Sequence, residues 1–302
     1  MSDGVRGLWR QLKRRRPRHP GFVAAMAIAL AAAAVFGGRA ESSPEPPPAE
    51  SPVSLAHETT LTGIAHRVSV RTPPYPSRNS LRRAERFAAG RAGEVSFALV
   101  DSKGRLRGLD AKRQYVSASI VKAPLMVAEL RRMNQASEPA DPGSTGLLRA
   151  MITYSDNNAA DAIYFRNRDP ALYDVADRIG MTDFTVQGHW GNAQVTAADL
   201  ARFFSRINRA LPRRSRGLAH ELLAAVVPDQ RWGIPAVAEP DWQVELKGGW
   251  RATDQGQLVH QAARLERGGT EIALAVLTDA QPSQAYGRET VEGVAERLLR
   301  QP

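Results

Sequence analysis

Cysteine is absent from this chain of 302 residues. Its absence excludes disulfides, thiolate metal sites and cysteine nucleophiles together. Hydrophobic residues make up 43% of the chain, enough to bury a core without such bonds, so an oxidising compartment stays open. Lysine is also scarce, with 5 residues against 36 arginines. Where lysine does occur, the scarcity suggests a specific need for an ammonium group rather than a guanidinium.

A basic stripe interleaved with aromatic residues is lacking as well, although the formal net charge is +10. The first 40 residues carry eight lysines or arginines and one aspartate, a net of +7, which leaves +3 for the other 262 residues. The excess positive charge therefore belongs to the N-terminal segment. We do not expect nucleic acid as a partner.

The N-terminal segment has the three parts of a secretory signal peptide. Residues 10–18 are strongly basic, residues 21–36 are apolar without interruption, and Gly38-Arg39-Ala40 offers small residues at a cleavage site. Residues 1–40 are therefore predicted to be a signal peptide, with export to the cell wall, the periplasm or the medium. The alternative is an uncleaved membrane anchor over residues 21–38, which is short for a hydrocarbon core of roughly 30 Å.

Proline dominates the stretch that follows. Five of the residues 41–52 are proline, and Pro73, Pro74 and Pro76 punctuate a second loose stretch. Such a composition forms no core, so residues 41–76 are predicted to be an extended linker. The catalytic domain is predicted to span residues 77–302.

The hydrophobic pattern of this domain predicts strands at both ends and helices between them. Predicted elements are a helix at 79–90, strands at 95–100 and 105–109, helices throughout 119–227 with separate elements at 157–166 and 170–179, strands at 244–246, 258–265 and 272–278, and a last helix at 288–300. This order is typical of an α+β fold, in which an antiparallel sheet flanked by helices carries an inserted all-helical subdomain.

Ser119 and Lys122 stand three residues apart at a predicted helix start. Residues at this spacing share one helical face, so the lysine amine can reach the serine hydroxyl. Serine is a weak nucleophile unless a base activates it, and burial can hold a lysine neutral enough to be that base. The alternative interpretation is an ordinary capped helix.

Two further motifs follow in the chain. Ser155-Asp156-Asn157 precedes a helical run and has the residue types that cap helices, yet its hydroxyl and amide suit proton transfer and carbonyl binding. Lys247-Gly248-Gly249-Trp250 closes the predicted strand Val244-Glu245-Leu246. Glycines at this place either end the strand or let a substrate backbone lie along its edge.

The three motifs occur in the order Ser-x-x-Lys, Ser-Asp-Asn, Lys-Gly-Gly, and they use two of the four lysines beyond residue 40. Over about residues 79–300 the chain therefore resembles the serine β-lactamase and penicillin-binding-protein superfamily, most closely the class A β-lactamase-like serine hydrolases. The resemblance implies a β-lactamase/transpeptidase-like fold of two lobes with the site in the cleft between them.

The resemblance also implies roles for individual residues. Ser119 would be the acylated nucleophile, Lys122 its activator and Ser155 the proton shuttle. Substrate-binding residues would be Asn157, Lys247, Gly249 and Trp250, and the oxyanion hole would consist of the backbone N–H groups of Ser119 and Trp250. The expected substrate is a β-lactam or a peptidoglycan-peptide-like amide, bound by a monomer without a metal or cofactor.

Two departures from the family pattern bear on activity. Gly248 stands where the family usually has a hydroxyl residue, for which Arg251 or Thr253 is a candidate replacement. The segment 184–195 reads FTVQGHWGNAQV and lacks the glutamate that activates the deacylating water in class A β-lactamases. In this segment His189 is a candidate general base, and the flanking Asp183 and Asp199 are interpreted as a loop residue and a capping-box partner of Thr196.

Three hypotheses remain open from the sequence. The favoured one is an exported hydrolase with β-lactamase-type activity and slow deacylation. The second is a D,D-peptidase or related cell-wall acyltransferase of the penicillin-binding type, and the third is a catalytically silent cell-wall-binding module. Covalent labelling by a penicillin, and the lifetime of the label, distinguish the three.

Overall fold

The computed structural model describes residues 75–136 and 142–300. The predicted signal peptide and nearly all of the predicted linker lie outside these residues, so both stay predictions. Among the described residues, no helix combines the length and the apolar character needed to cross a membrane.

Eight helices and seven strands make up the described residues, together with short 3₁₀ turns. The helices are α1 (Arg78–Ala89), α2 (Lys122–Gln135), α3 (Pro142–Thr153), α4 (Asn157–Ile179), α5 (Ala197–Ala210), α6 (Arg216–Ala224), α7 (Ile234–Val237) and α8 (Gln284–Leu299). The strands are β1 (Glu94–Val100), β2 (Leu106–Leu109), β3 (Gln114–Val116), β4 (Gln194–Thr196), β5 (Gln243–Thr253), β6 (Gly256–Arg267) and β7 (Thr270–Gln281).

The main sheet joins the two ends of the described chain. Its five strands run in the order β2-β1-β7-β6-β5, and every neighbouring pair is antiparallel. In β1, Phe97 and Leu99 face the core beneath α1 and α8, whereas Ala98 and Val100 face the core shared with the helical subdomain. Successive side chains of a strand point to opposite faces, so β1 is buried on both. The predicted α+β architecture is confirmed.

Helix α2 lies at the centre of the helical subdomain. Ten of its fourteen residues are buried, from Lys122 to Met133, so it is covered on nearly all sides. Pro124 lies in the first turn of α2, where a backbone N–H would have no partner within the helix, so the missing N–H of proline costs no hydrogen bond. Helix α4 contains a break at Arg168, with φ 57°, two residues before Pro170. Its two arms correspond to the helices predicted at 157–166 and 170–179.

Two details of the predicted elements were wrong. Residues 119–227 are not helical throughout, because β4 pairs with β3 in a separate two-stranded sheet whose three-residue strands are too short to show alternation. The strand that carries Lys247 does not close there: β5 continues to Thr253, and Gly248 and Gly249 pair with Gln261 and His260 of β6. Glycine weakens a strand by itself, but a long antiparallel partner holds this one in register.

Candidate active site

Ser119 lies in a 3₁₀ turn, Ala118–Val121, that leads directly into α2. The turn begins with Ala118 at φ 45°, a left-handed conformation that costs energy for a residue with a Cβ. Backbone strain of this kind is concentrated at functional sites. The Ser117 N–H donates to the Ala193 carbonyl at 2.7 Å, which ties the turn to the segment before β4. The Ser119 side chain is half-buried and faces a cavity.

Lys122 is fully buried, and its ammonium group meets the second motif. Its Nζ donates to the Ser155 carbonyl at 2.6 Å, to Asn157 Oδ1 at 2.7 Å and to Ser155 Oγ at 3.3 Å. Burial lowers the pKa of Lys122 to about 8, against the opposing effect of the nearby Asp156 and Asp161 carboxylates. A part of the Lys122 population is therefore unprotonated near neutral pH and can act as a base.

Lys247 reaches the same place from β5. It is fully buried, and its Nζ donates to Ser155 Oγ and to the Gly248 carbonyl, both at 3.0 Å. Burial, aided by repulsion from Lys122, lowers the pKa of Lys247 to about 7. The two motif lysines and Ser155 thus come together in the structure as the motifs predict.

The second motif turns out to be a helix cap and a functional cluster at once. Asp156 is the N-cap of α4 and accepts a hydrogen bond from the Ala159 N–H at 2.7 Å. Its neighbours Ser155 and Asn157 face Lys122 instead. Ser155 has φ 60°, a strained conformation that the flanking contacts hold in place. The two alternative interpretations of this motif therefore apply to different residues.

Gly249 is required by the approach of β5 to the nucleophile turn. A Cβ at this position would lie 2.8 Å from the Ile120 nitrogen and 3.0 Å from the Ser119 nitrogen and the Ser117 oxygen. These are backbone atoms, which cannot move aside as a flexible side chain can. The glycine therefore makes room for the protein's own backbone, whereas the sequence suggested room for a substrate.

His260 pairs with Gly249 across β5 and β6 and holds the segment that leads into the Ser119 turn. The ring is fully buried; its Nδ1 accepts from the Thr278 N–H at 3.2 Å, so the ring proton lies on Nε2, which donates to the Val116 carbonyl at 3.0 Å. Burial lowers the pKa of His260 to about 4, so the ring is neutral. Sequence reasoning missed this residue because both of its partners are backbone groups.

A cavity of about 340 Å³ opens beside the nucleophile. Its lining residues are Ala118, Ser119, Asn157, Asp161, His189, Trp190, Gly191, Trp250 and Arg251. Sequence reasoning had not selected Asp161. The available signal was its spacing from Asn157, because residues four apart lie on the same face of a helix.

His189 lines the cavity but has no free nitrogen to accept a proton from water. Its Nδ1 accepts from the Gly191 N–H at 3.0 Å, so a neutral ring carries its proton on Nε2, which lies 3.8 Å from Asp161 Oδ1. The ring also stacks on Trp190, with centroids 5.2 Å apart. This geometry disfavours the role of general base for the deacylating water, for which His189 was a candidate from the sequence.

The two acids beside the 184–195 segment take part in local hydrogen bonds, and Asp183 Oδ2 accepts from the hydroxyl of its neighbour Thr182 at 3.0 Å. Thr196 Oγ1 donates to Asp199 Oδ2 at 2.8 Å and accepts from the Asp199 N–H at 3.0 Å, so Thr196 caps α5 and Asp199 is its hydrogen-bond partner. Burial raises the pKa of Asp199. Neither Asp183 nor Asp199 lines the cavity. Among the described residues, no group of three or more histidines, aspartates and glutamates is placed to hold a metal ion.

Gly248 occupies the position at which the family usually has a hydroxyl residue, and two indole rings lie beside it. A Cβ there would meet Trp232 Cζ2 at 3.5 Å and Trp250 Cζ3 at 3.6 Å, both ordinary contacts. Of the two candidate replacements, Arg251 lines the cavity and donates to Asn192 Oδ1 at 3.2 Å. Thr253 instead donates to the Gly256 carbonyl within the β5–β6 turn.

A family model described as the β-lactamase enzyme family matches residues 144–301, just over half of the chain. No curated protein matches the chain.

Solved structures with a similar fold include β-lactamases and a protein named PBP-A. An ancestral class A β-lactamase (GNCA) is 20% identical, with a TM-score of 0.62 over 72% of this chain and 98% of that chain. A β-lactamase from Sphaerobacter thermophilus is 18% identical, with a TM-score of 0.63 over 72% and 95%. PBP-A is 16% identical, with a TM-score of 0.64 over 76% and 97%. At these identities the likeness establishes the fold.

Proposed function

The chain belongs to the β-lactamase enzyme family, and we propose that it is an exported serine hydrolase that forms an acyl-enzyme at Ser119 with β-lactams or similar amides. We further propose that it releases this acyl group slowly. The observation that carries the proposal is the meeting of Lys122, Ser155 and Lys247 beside the Ser119 turn.

Acylation begins with loss of the Ser119 proton. A neutral Lys122 amine has two N–H donors and one lone pair, and the short contacts to the Ser155 carbonyl and to Asn157 Oδ1 occupy both donors. The lone pair is then free to accept the Ser119 proton, directly or through the Ser155 hydroxyl. Burial supports this role because it favours the neutral amine.

The serine oxygen then bonds to the substrate carbonyl carbon. Negative charge on the carbonyl oxygen is stabilised by the backbone N–H groups of Ser119 and Trp250, which belong to two segments packed together at Gly249. When the C–N bond breaks, the Ser155 hydroxyl donates its proton to the leaving nitrogen and is reprotonated by the lysine that holds the Ser119 proton. The Asn157 amide would orient the substrate, and Lys247 with Arg251 would attract its carboxylate.

Slow deacylation follows from what the 184–195 segment lacks. The segment contains no carboxylate. Its His189 Nδ1 already accepts the Gly191 N–H, and the Nε2 of the same ring lies 3.8 Å from Asp161 Oδ1. General-base assistance to water contributes typically about 10² to 10⁴ in rate. The same feature favours the second candidate function, a D,D-peptidase or cell-wall acyltransferase of the penicillin-binding type, which needs acylation and acyl transfer but no rapid hydrolysis of a β-lactam adduct.

The test is to incubate purified protein with a fluorescent penicillin and record the intact mass over time. We expect an adduct of one penicillin that accumulates within minutes and persists, and no adduct in Ser119→Ala. Rapid turnover without an accumulating adduct would refute slow deacylation. No adduct on the unmodified protein would refute the enzymatic proposal and favour a silent binding module.

Export is proposed from residues 1–40. Cleavage after Ala40 would produce a mature chain that begins at Glu41. N-terminal sequencing of protein from the medium or the cell-wall fraction tests this. An intact N-terminus in the membrane fraction would identify residues 21–38 as an anchor instead.

A further inference from the structure

One wall of the cavity carries a carboxylate that the proposed acylation does not use. Asp161 Oδ1 accepts a hydrogen bond from the Trp190 indole N–H at 2.7 Å. Its second oxygen has no hydrogen-bond partner within the two described ranges, and the side chain is 58% exposed. The carboxylate therefore keeps one oxygen without a hydrogen bond in these ranges, and Asp161 is among the residues that line the cavity of Ser119.

The surroundings of Asp161 suit a cation. The rings of His189 and Trp190 stack beside it, and aromatic faces attract ammonium groups. Trp190 already holds one such group, because Lys122 Nζ lies 4.8 Å from the centre of its ring. An ammonium placed between these rings and the free Asp161 oxygen would form a charge-assisted hydrogen bond.

The position along α4 indicates which part of a substrate would reach this wall. Asp161 lies one helical turn beyond Asn157, on the same face. Asn157 is the residue proposed to bind the substrate carbonyl on the acyl side. A group attached next to that carbonyl would therefore extend toward Asp161, while the cation Arg251 lines the cavity from β5.

We propose that Asp161 forms an ammonium subsite, which selects amide substrates with a free amino group on the acyl side chain. This inference rests on the proposed acylation of Ser119. It concerns binding and orientation, so it predicts an effect on the acylation rate that depends on the charge of the substrate. The anchoring of Trp190 by Asp161 Oδ1 is a separate role, and an asparagine at this position preserves it.

Ampicillin and benzylpenicillin are suitable probes, because they differ only in an amino group on the acyl side chain. The second-order rate constant for acylation is measured for both with the unmodified protein and with Asp161→Asn. We expect the ratio of ampicillin to benzylpenicillin to fall about 5- to 10-fold in the variant, the size of one charge-assisted hydrogen bond at an exposed site. In the unmodified protein the preference should fade as the α-amino group loses its proton, above roughly pH 7 to 8.

Asp177→Asn is the matched control. Asp177 is exposed on the same helix but does not line the cavity, so its substitution changes the net charge equally. An unchanged ratio in Asp161→Asn, or an equal change in Asp177→Asn, overturns the ammonium subsite. A loss of deacylation for both penicillins with the ratio unchanged overturns it as well and makes Asp161 a water-activating base. If neither penicillin labels the unmodified protein, the proposed function fails first.

Discussion

Lys122 and Lys247 share one hydrogen-bond partner: their Nζ atoms lie 3.3 and 3.0 Å from Ser155 Oγ. Two buried ammonium groups at one hydroxyl repel each other, and burial lowers both pKa values, to about 8 and about 7. Both lysines therefore change charge close to physiological pH. A hydroxyl between two such groups can receive a proton from one side and deliver it to the other.

The first prediction is that the limiting acylation rate at saturating penicillin, which does not depend on how strongly Lys247 attracts the substrate carboxylate, rises from about pH 6 to about pH 9. The neutral form of Lys122, which accepts the Ser119 proton, increases as the pH passes its pKa of about 8. Lys122→Arg should lose about 10² to 10⁴ in acylation rate, the usual size of general-base catalysis, because arginine stays protonated. The rate of penicillin labelling against pH measures both effects. Labelling of the arginine variant at the unmodified rate would show that Lys122 acts only as a charge.

The second prediction separates two adjacent glycines. Gly249→Ala should reduce penicillin labelling by about 100-fold, the size of a misplacement of roughly 1 Å at an active site, because its Cβ would lie about 3 Å from backbone atoms of the Ser119 turn. Gly248→Ala should label nearly normally, since its Cβ meets nothing closer than 3.5 Å. Labelling rates and circular dichroism of both variants are compared. Equal losses in the two variants would mean that strand strain, rather than the contact with the turn, is responsible.

The sequence predicted those parts of the site that lie on single elements. Ser119 and Lys122 share the start of one helix, and the scarcity of lysine made Lys122 and Lys247 conspicuous. Alternation and helical periodicity likewise predicted the main sheet and most helices. Both signals are local, so a single segment is enough to show them.

Features that depend on distant segments could not be predicted in the same way. Asp161 becomes a cavity residue because the segment with Trp190 folds back onto α4. His260 is held by the Val116 carbonyl and the Thr278 N–H, and backbone partners leave no pattern in side-chain types. The continuation of β5 through Gly248 and Gly249 depends on pairing with β6, which overrides the low strand propensity of glycine.

The third prediction concerns stability at alkaline pH. The pKa of Lys247 is about 7 in the folded protein against an ordinary 10.5, so the unfolded chain binds more protons between these values. Its contribution to stability is present above 10.5 and is lost as the pH falls through about 7. The Lys247→Met variant has no such group. Between about pH 7 and about pH 10, the unfolding free energy of the unmodified protein should therefore rise relative to that of the variant. Denaturant unfolding across that range measures it. A constant difference would show that Lys247 stays charged in the fold.

The fourth prediction concerns the opposite end of the pH scale and His260. Its folded pKa is about 4 against an ordinary 6.5, so the unfolded chain binds the extra proton first as the medium becomes acidic. The stability it contributes is present above 6.5 and is lost as the pH falls through about 4. A proton added at Nδ1 would also face the Thr278 N–H, a donor against a donor, and would weaken the support of the Ser119 turn through Val116.

His260→Phe removes the titrating group and keeps an aromatic ring against Tyr115, which packs edge-to-face on the histidine. The variant should be less stable at pH 7 by about 1 to 3 kcal/mol for each buried backbone group left unpaired. The two proteins should then converge as the pH falls from about 6.5 to about 4, because only the unmodified protein loses the histidine contribution. Carboxylates titrate in the same range in both proteins, so the difference between their unfolding free energies is the quantity to follow. A difference that stays constant across this range would mean that His260 already carries its proton in the folded protein.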